Sequence, residues 1–208
     1  MVMAIVVVLA ATVACSNNEA TGSDGASDST TRQLSGVIRE PVPDLSALAL
    51  PEATPEATPF RFVAKSDSLL LVYFGYTACP DICPTTLADL KAAFKKIGAK
   101  SDRVSLAMAT IDPRRDTAEV ITGYLHSFFP SATALRTDDD AALRSVTDAF
   151  GASYEANYPT NAEPEVSHSA FLYVLDDRGR LVLQWPFGTT SADIALDLEQ
   201  LLAQQGET

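Results

Sequence analysis

Apolar positions follow two rhythms along the chain. A continuous apolar run at 69–74, closed by Gly75, has the pattern of a strand buried on both faces. After it, Leu87, Leu90, Phe94 and Ile97 recur at helical spacing, which predicts a helix over 84–97 with Pro84 in its first turn and Gly98 at its end. A second apolar run predicts a strand at 104–111. The following helix is expected at 117–128, where Asp116 and Glu119 have capping-box spacing. Residues 134–136 suit a short strand, and Thr137 or Asp138 is placed to cap a third helix that runs to Phe150 and stops at Gly151. Runs at 170–175 and 181–185 flank Asp176-Asp177-Arg178-Gly179 as a hairpin would. Ser191 then caps a last helix with Ile194, Leu198 and Leu201 on one face.

The order β-α-β-α-(β)-α-β-β-α predicts an α/β fold, a mixed sheet flanked by helices. Ahead of it, residues 36–64 interleave short apolar pieces with Pro41, Pro43, Pro51, Pro55 and Pro59, a density that forbids a long helix. An extended N-terminal segment ending in a hairpin is expected there. With Cys79 and Cys83 opening the helix after the first core strand, the arrangement is thioredoxin-like, and residues 36–208 are read as one such domain.

The start of the chain has a different pattern. Residues 1–14 are apolar, too few to span a bilayer, and end in Thr12-Val13-Ala14-Cys15, which resembles a lipoprotein signal peptide whose cleavage leaves Cys15 lipid-modified. Two features depart from that pattern: no Lys or Arg precedes the run, and Thr12 replaces a leucine-like residue. Residues 15–35 shift to Ser, Thr, Gly, Asp, Asn and Ala, the composition of a flexible tether. The expected location is extracytoplasmic, held to the cell membrane by Cys15, with plain secretion or a transmembrane anchor as the alternatives.

Charge narrows the partners. A formal net charge of -12, from 27 acidic and 15 basic residues, lacks the clustered cations that phosphate backbones require, so no nucleic-acid partner is expected.

The chemistry centres on the two cysteines left in the domain. Four-residue spacing puts both thiols on one helix face, and the helix N-terminus favours thiolate over thiol. A disulfide and a shared metal are both open at this stage. The flanking Pro80 and Pro84 place the pair in a loop and first turn at the carboxyl edge of the sheet, where ligand sites occur, rather than in inert packing. Of the two histidines, His126 falls inside a predicted helix and reads as a surface residue, whereas His168 precedes a strand at a sheet edge. Two thiolates and an imidazole are soft donors that suit copper, whereas structural zinc normally takes a fourth protein ligand.

Phe74-Gly75-Tyr76-Thr77 with Cys79-Pro80-Asp81-Ile82-Cys83-Pro84, then Ile111-Asp112-Pro113 with Arg115-Asp116-Thr117, then His168 ahead of Asp177 and Gly179, together resemble the Sco/SenC proteins. The resemblance covers roughly residues 40–203. It implies a membrane-tethered thioredoxin-like domain that binds copper through Cys79, Cys83 and His168 and serves assembly of the dinuclear copper centre of cytochrome c oxidase. The copper-bearing subunit of that oxidase, another copper chaperone or a thiol reductant, and the membrane through the lipid anchor are the implied partners. Asp112 matches an acidic family position near the site, either tuning it or capping its own loop before Pro113; Asp81 is read as a helix cap. The alternative function is a thiol–disulfide reductase acting on cysteines of the acceptor copper site, with Cys79 as attacking and Cys83 as resolving thiol. On the first reading the protein is a metal carrier rather than an enzyme.

Overall fold

The strand at 69–75 is the centre from which the rest is built in the computed structural model, which describes residues 32–205. The apolar segment at 1–14, Cys15 and the tether up to residue 31 lie outside the described residues. In chain order the elements are β1 (Ala49–Pro51), β2 (Pro59–Arg61), β3 (Leu69–Gly75), α1 (Ile82–Ile97), a 3-10 turn (Gly98–Arg103), β4 (Val104–Thr110), α2 (Ala118–Phe128) and β5 (Thr133–Leu135). They continue with α3 (Asp140–Phe150), β6 (Tyr154–Asn157), β7 (Glu165–His168), β8 (Phe171–Leu175), β9 (Leu181–Pro186) and α4 (Ser191–Gln205).

Five strands form one mixed sheet in the order β5-β4-β3-β8-β9. β3 lies at its middle, parallel to β4 and antiparallel to β8, so all seven of its residues are buried, which is what its unbroken apolar run predicts. Alternation along β3 sends Tyr73 and Gly75 to one face, where a Cβ on Gly75 would meet Cys83 of α1. Phe74 points to the other face, edge-on to Phe150 of α3 at 5.2 Å between ring centroids. Helices therefore flank both faces. Phe62, Phe150 and Tyr173 complete an aromatic core around Phe74.

The proline-rich segment is extended, as its composition predicts, and ends in the antiparallel pair β1–β2. Val37 bridges to Gln184 on the β9 edge of the sheet, and Glu52 bridges to Leu135 on the β5 edge. The packed chain reaches back beyond residue 36: Leu34 lies against the core, and Ser35 and Gly36 donate their backbone N–H groups to the buried Asp197 carboxylate.

Differences from the sequence expectations concentrate at helix starts and in one hairpin. α1 begins at Ile82 rather than Pro84, and Asp81, though it occupies the cap position, makes no side-chain cap bond. α2 is capped by Thr117, whose side chain accepts from the Val120 N–H, and not by Asp116, which is buried among threonines. Asp139 caps α3 in place of Thr137 or Asp138. Thr190 Oγ1 accepts from the Asp193 N–H at the head of α4, where Ser191 was expected to do so. The β6–β7 pair has no counterpart among the predicted elements; His168 does precede β8, but as the last residue of β7, opposite Tyr154.

Candidate metal centre

Three chain segments converge at the carboxyl end of β3. Residues 76–80 carry Cys79, the first turn of α1 carries Cys83, and the end of β7 carries His168. One donor atom from each lies within 4.8 Å of the other two, and Cys83 Sγ is 3.6 Å from His168 Nε2. The three residues singled out from the sequence are thus brought together, with both cysteines present as free thiols. Asp112 and His126 are not part of the cluster: Asp112 accepts from Arg115 and Tyr158, and His126 is exposed on α2 with Nε2 3.0 Å from the Ala132 carbonyl.

The sequence dictates this approach locally. A Cβ on Gly75 would lie 3.0 Å from Cys83 Sγ and 2.8 Å from Tyr73 Cε1, so the absence of a side chain there lets α1 start hard against the end of β3. The loop before Cys79 is fixed by Asp116, whose buried carboxylate accepts from the Thr77 N–H at 3.1 Å, from the Thr77 hydroxyl, and from the Thr110 hydroxyl at 2.6 Å. Pro84 sits in the first turn of α1, where its missing N–H is not needed.

The imidazole is oriented on both sides. Tyr73 and Tyr76 each meet the His168 ring edge-on, with centroids 6.0 Å away. His168 Nδ1 lies 3.0 Å from the Ser169 carbonyl, which can only accept, so Nδ1 carries the proton and Nε2 presents its lone pair toward Cys83. Burial lowers the His168 pKa from its ordinary value and favours this neutral, ligating form.

The thiols differ. Cys79 retains 9% of its surface at the mouth of the site and its Sγ accepts the Cys83 backbone N–H at 3.3 Å; Cys83 is fully buried. Burial pushes the Cys83 thiol up to about 12, which overturns the expectation that the helix start favours thiolate at both cysteines. A helix terminus contributes at most about 2 kcal/mol, which desolvation of a buried charge outweighs. The Tyr73 hydroxyl is buried without a hydrogen bond of good geometry, and the groups it faces are the Cys83 sulfur and the Thr86 hydroxyl. Replacing the Cys83 proton by a soft metal ion makes that sulfur a thiolate, a stronger acceptor for this hydroxyl.

Two sulfurs and one imidazole nitrogen make a soft donor set suited to monovalent copper, and no further His, Cys, Asp or Glu joins it among the described residues. Gly75, Tyr76 and Asp116 stand in the motifs quoted from the sequence, yet their roles as clearance, orientation and loop clamp come only from the three-dimensional contacts. Tyr158 belongs to no motif, and the Pro- and Asn-rich stretch it opens has the composition of a loop.

Residues 60–203 match the family described as SCO1/SenC. Among curated relatives, an SCO2-like protein of Rickettsia prowazekii is 32% identical over 128 residues, covering 61% of this chain and 62% of that protein. The chain thus spans about three fifths of the length of such relatives. Among solved structures, apo Sco1 from Thermus thermophilus is 30% identical with a TM-score of 0.66, covering 86% of this chain and 98% of that one. ScoI of Bradyrhizobium japonicum, solved with copper bound, is 26% identical with a TM-score of 0.62, covering 74% and 96%.

Proposed function

The chain belongs to the SCO1/SenC family, and we propose that its Cys79, Cys83 and His168 bind Cu(I) as the cargo of a metallochaperone serving the dinuclear copper centre of cytochrome c oxidase. The observation that carries this reading is the convergence of two thiols and one proton-free imidazole nitrogen within 4.8 Å. Support for copper comes from the related ScoI solved with that metal. A structural neighbour described as one of the Sco family of cytochrome c oxidase assembly proteins lends its fold to the assembly role.

Three protein donors leave a coordination position open, and the cluster meets solvent at Cys79 and the half-buried His168 rather than at Cys83. An acceptor thiolate enters there and displaces Cys79, and Cys83, the one fully buried donor, releases last. A closed four-ligand site has no such route. Cys15 as a lipid anchor, with the tether at 15–35, completes the proposal by keeping the domain outside the cytoplasm within reach of a membrane-bound acceptor.

The closeness of two free thiols also favours a second reading, reduction of disulfides in the acceptor site. One experiment separates the two. Reduced protein is titrated with Cu(I) against a chelator of moderate affinity, as wild type and as His168→Ala. The chaperone reading predicts that wild type holds one Cu(I) and that His168→Ala loses it at least about tenfold more readily. A wild type that reduces disulfides but never competes for Cu(I) leaves the reductase as the function.

A further inference from the structure

The β6–β7 hairpin brings His168 to the cysteines, yet it is hydrogen-bonded to no strand of the five-stranded sheet. Clefts undercut it on two sides. One of about 520 Å3 separates Glu165 and Ser167 from Ala78 and Pro80, the neighbours of Cys79. Another, about 400 Å3, lies between Ala156 and Tyr158 on the hairpin side and Leu143 and Arg144 of α3 on the other. A two-stranded ribbon is at best marginal by itself in water, so discrete contacts decide where this one rests.

At its root the Tyr154 hydroxyl donates to Asp140 Oδ1 at 2.7 Å, with the Arg144 guanidinium 4.7 Å from the same ring. Farther out, the Tyr76 hydroxyl donates to the Val166 carbonyl at 3.2 Å. Just past the end of β6, the Tyr158 hydroxyl donates to Asp112 Oδ1 while Arg114 lies 4.5 Å from the Tyr158 ring centre. Asp112 is fully buried, and its other oxygen takes Arg115 Nε. Arg115 in turn lies over the Tyr76 ring, which meets His168 edge-on. One carboxylate therefore joins the hairpin to the wall of the cysteine loop.

We propose that the Tyr158 hydroxyl and the Asp112 carboxylate form a latch that holds the β6–β7 hairpin across the cysteine loop, setting both the access to Cys79 and the placement of His168. Tyr158 is a positioning residue in this scheme, and Asp112 acts on the site through Tyr158 and Arg115 instead of as a donor to the metal. The inference rests on the reading of Cys79, Cys83 and His168 as the metal cluster, which gives the placement of His168 its meaning.

The test is Tyr158→Phe in the full chain, which keeps the half-buried ring and removes only the hydroxyl. In the reduced, metal-free protein, amide exchange across 155–167 should rise about tenfold, the scale of one hydrogen bond to a charged group, with β3 and β4 unchanged. Modification of Cys79, followed peptide by peptide, should accelerate several-fold with a bulky maleimide while iodoacetamide, small enough to enter the latched site, changes less than twofold. Unchanged hairpin exchange, or equal acceleration by both reagents, overturns the latch. Neither readout involves copper, so a wild type that fails to hold Cu(I) removes the copper reading without touching this result.

Discussion

Cys83 meets two opposed demands. Its burial keeps the proton on, with the pKa pushed up to about 12, whereas a Cu(I) ligand must be a thiolate. The metal has to displace that proton, so binding and pH are linked with a definite sign: below the Cys83 pKa, each unit of rising pH removes a competitor. Apparent Cu(I) affinity should therefore increase at least about tenfold per pH unit between pH 6 and 8, measured by competition with a chelator whose own protonation is accounted for. A flat profile would show that Cys83 keeps its proton and does not ligate. His168 adds to the same trend only at the acid end, because burial already keeps its imidazole neutral.

Element starts show which interactions outrank local pattern. Asp116 and Thr117 are adjacent, and either residue type caps a helix well. Thr77 and Thr110 draw Asp116 inward, leaving Thr117 to cap α2. Thr117→Ala should thus cost about 1 kcal/mol in chemical denaturation. Asp116→Ala, which strands three donors around the cysteine loop, should cost about 3 kcal/mol; the reverse ranking would restore Asp116 as the cap. The same logic explains what was legible beforehand. β3, β4, α1 and α4 carry periodicity that burial enforces, so their existence could be read directly. The β6–β7 hairpin could not: Glu155, Asn157, Glu165 and Ser167 face solvent, and Pro159, Asn161 and Pro164 between the strands have the composition of a loop. Cys79 and Cys83 were readable from spacing alone; His168 stood apart from His126 by its place ahead of a strand at a sheet edge, but only the family resemblance made it a ligand rather than a structural residue. Asp112 was ambiguous for a related reason, since its decisive partner Tyr158 lies 46 positions away.

For the molecule as a whole, the N-terminal segment works as a strap. It reaches the β9 edge through Val37 and the β5 edge through Glu52, covering part of each open edge that an exposed sheet would otherwise present to other chains. Its first turn is pinned where Ser35 N–H, Gly36 N–H and the indole Nε1 of Trp185 all donate to Asp197. Asp197→Leu should lower stability by about 2–4 kcal/mol and shift the emission of the single tryptophan before the main unfolding transition. A tryptophan signal that moves only with global unfolding would mean the strap is held elsewhere. The wide separation of the donors has a consequence of another kind. Cys83 and His168 are 85 positions apart, so a nascent chain displays a bare dithiol until the second half of the domain has formed and closed over it. The three-donor cluster reports completed folding, and a chain caught midway offers copper a different, poorer host.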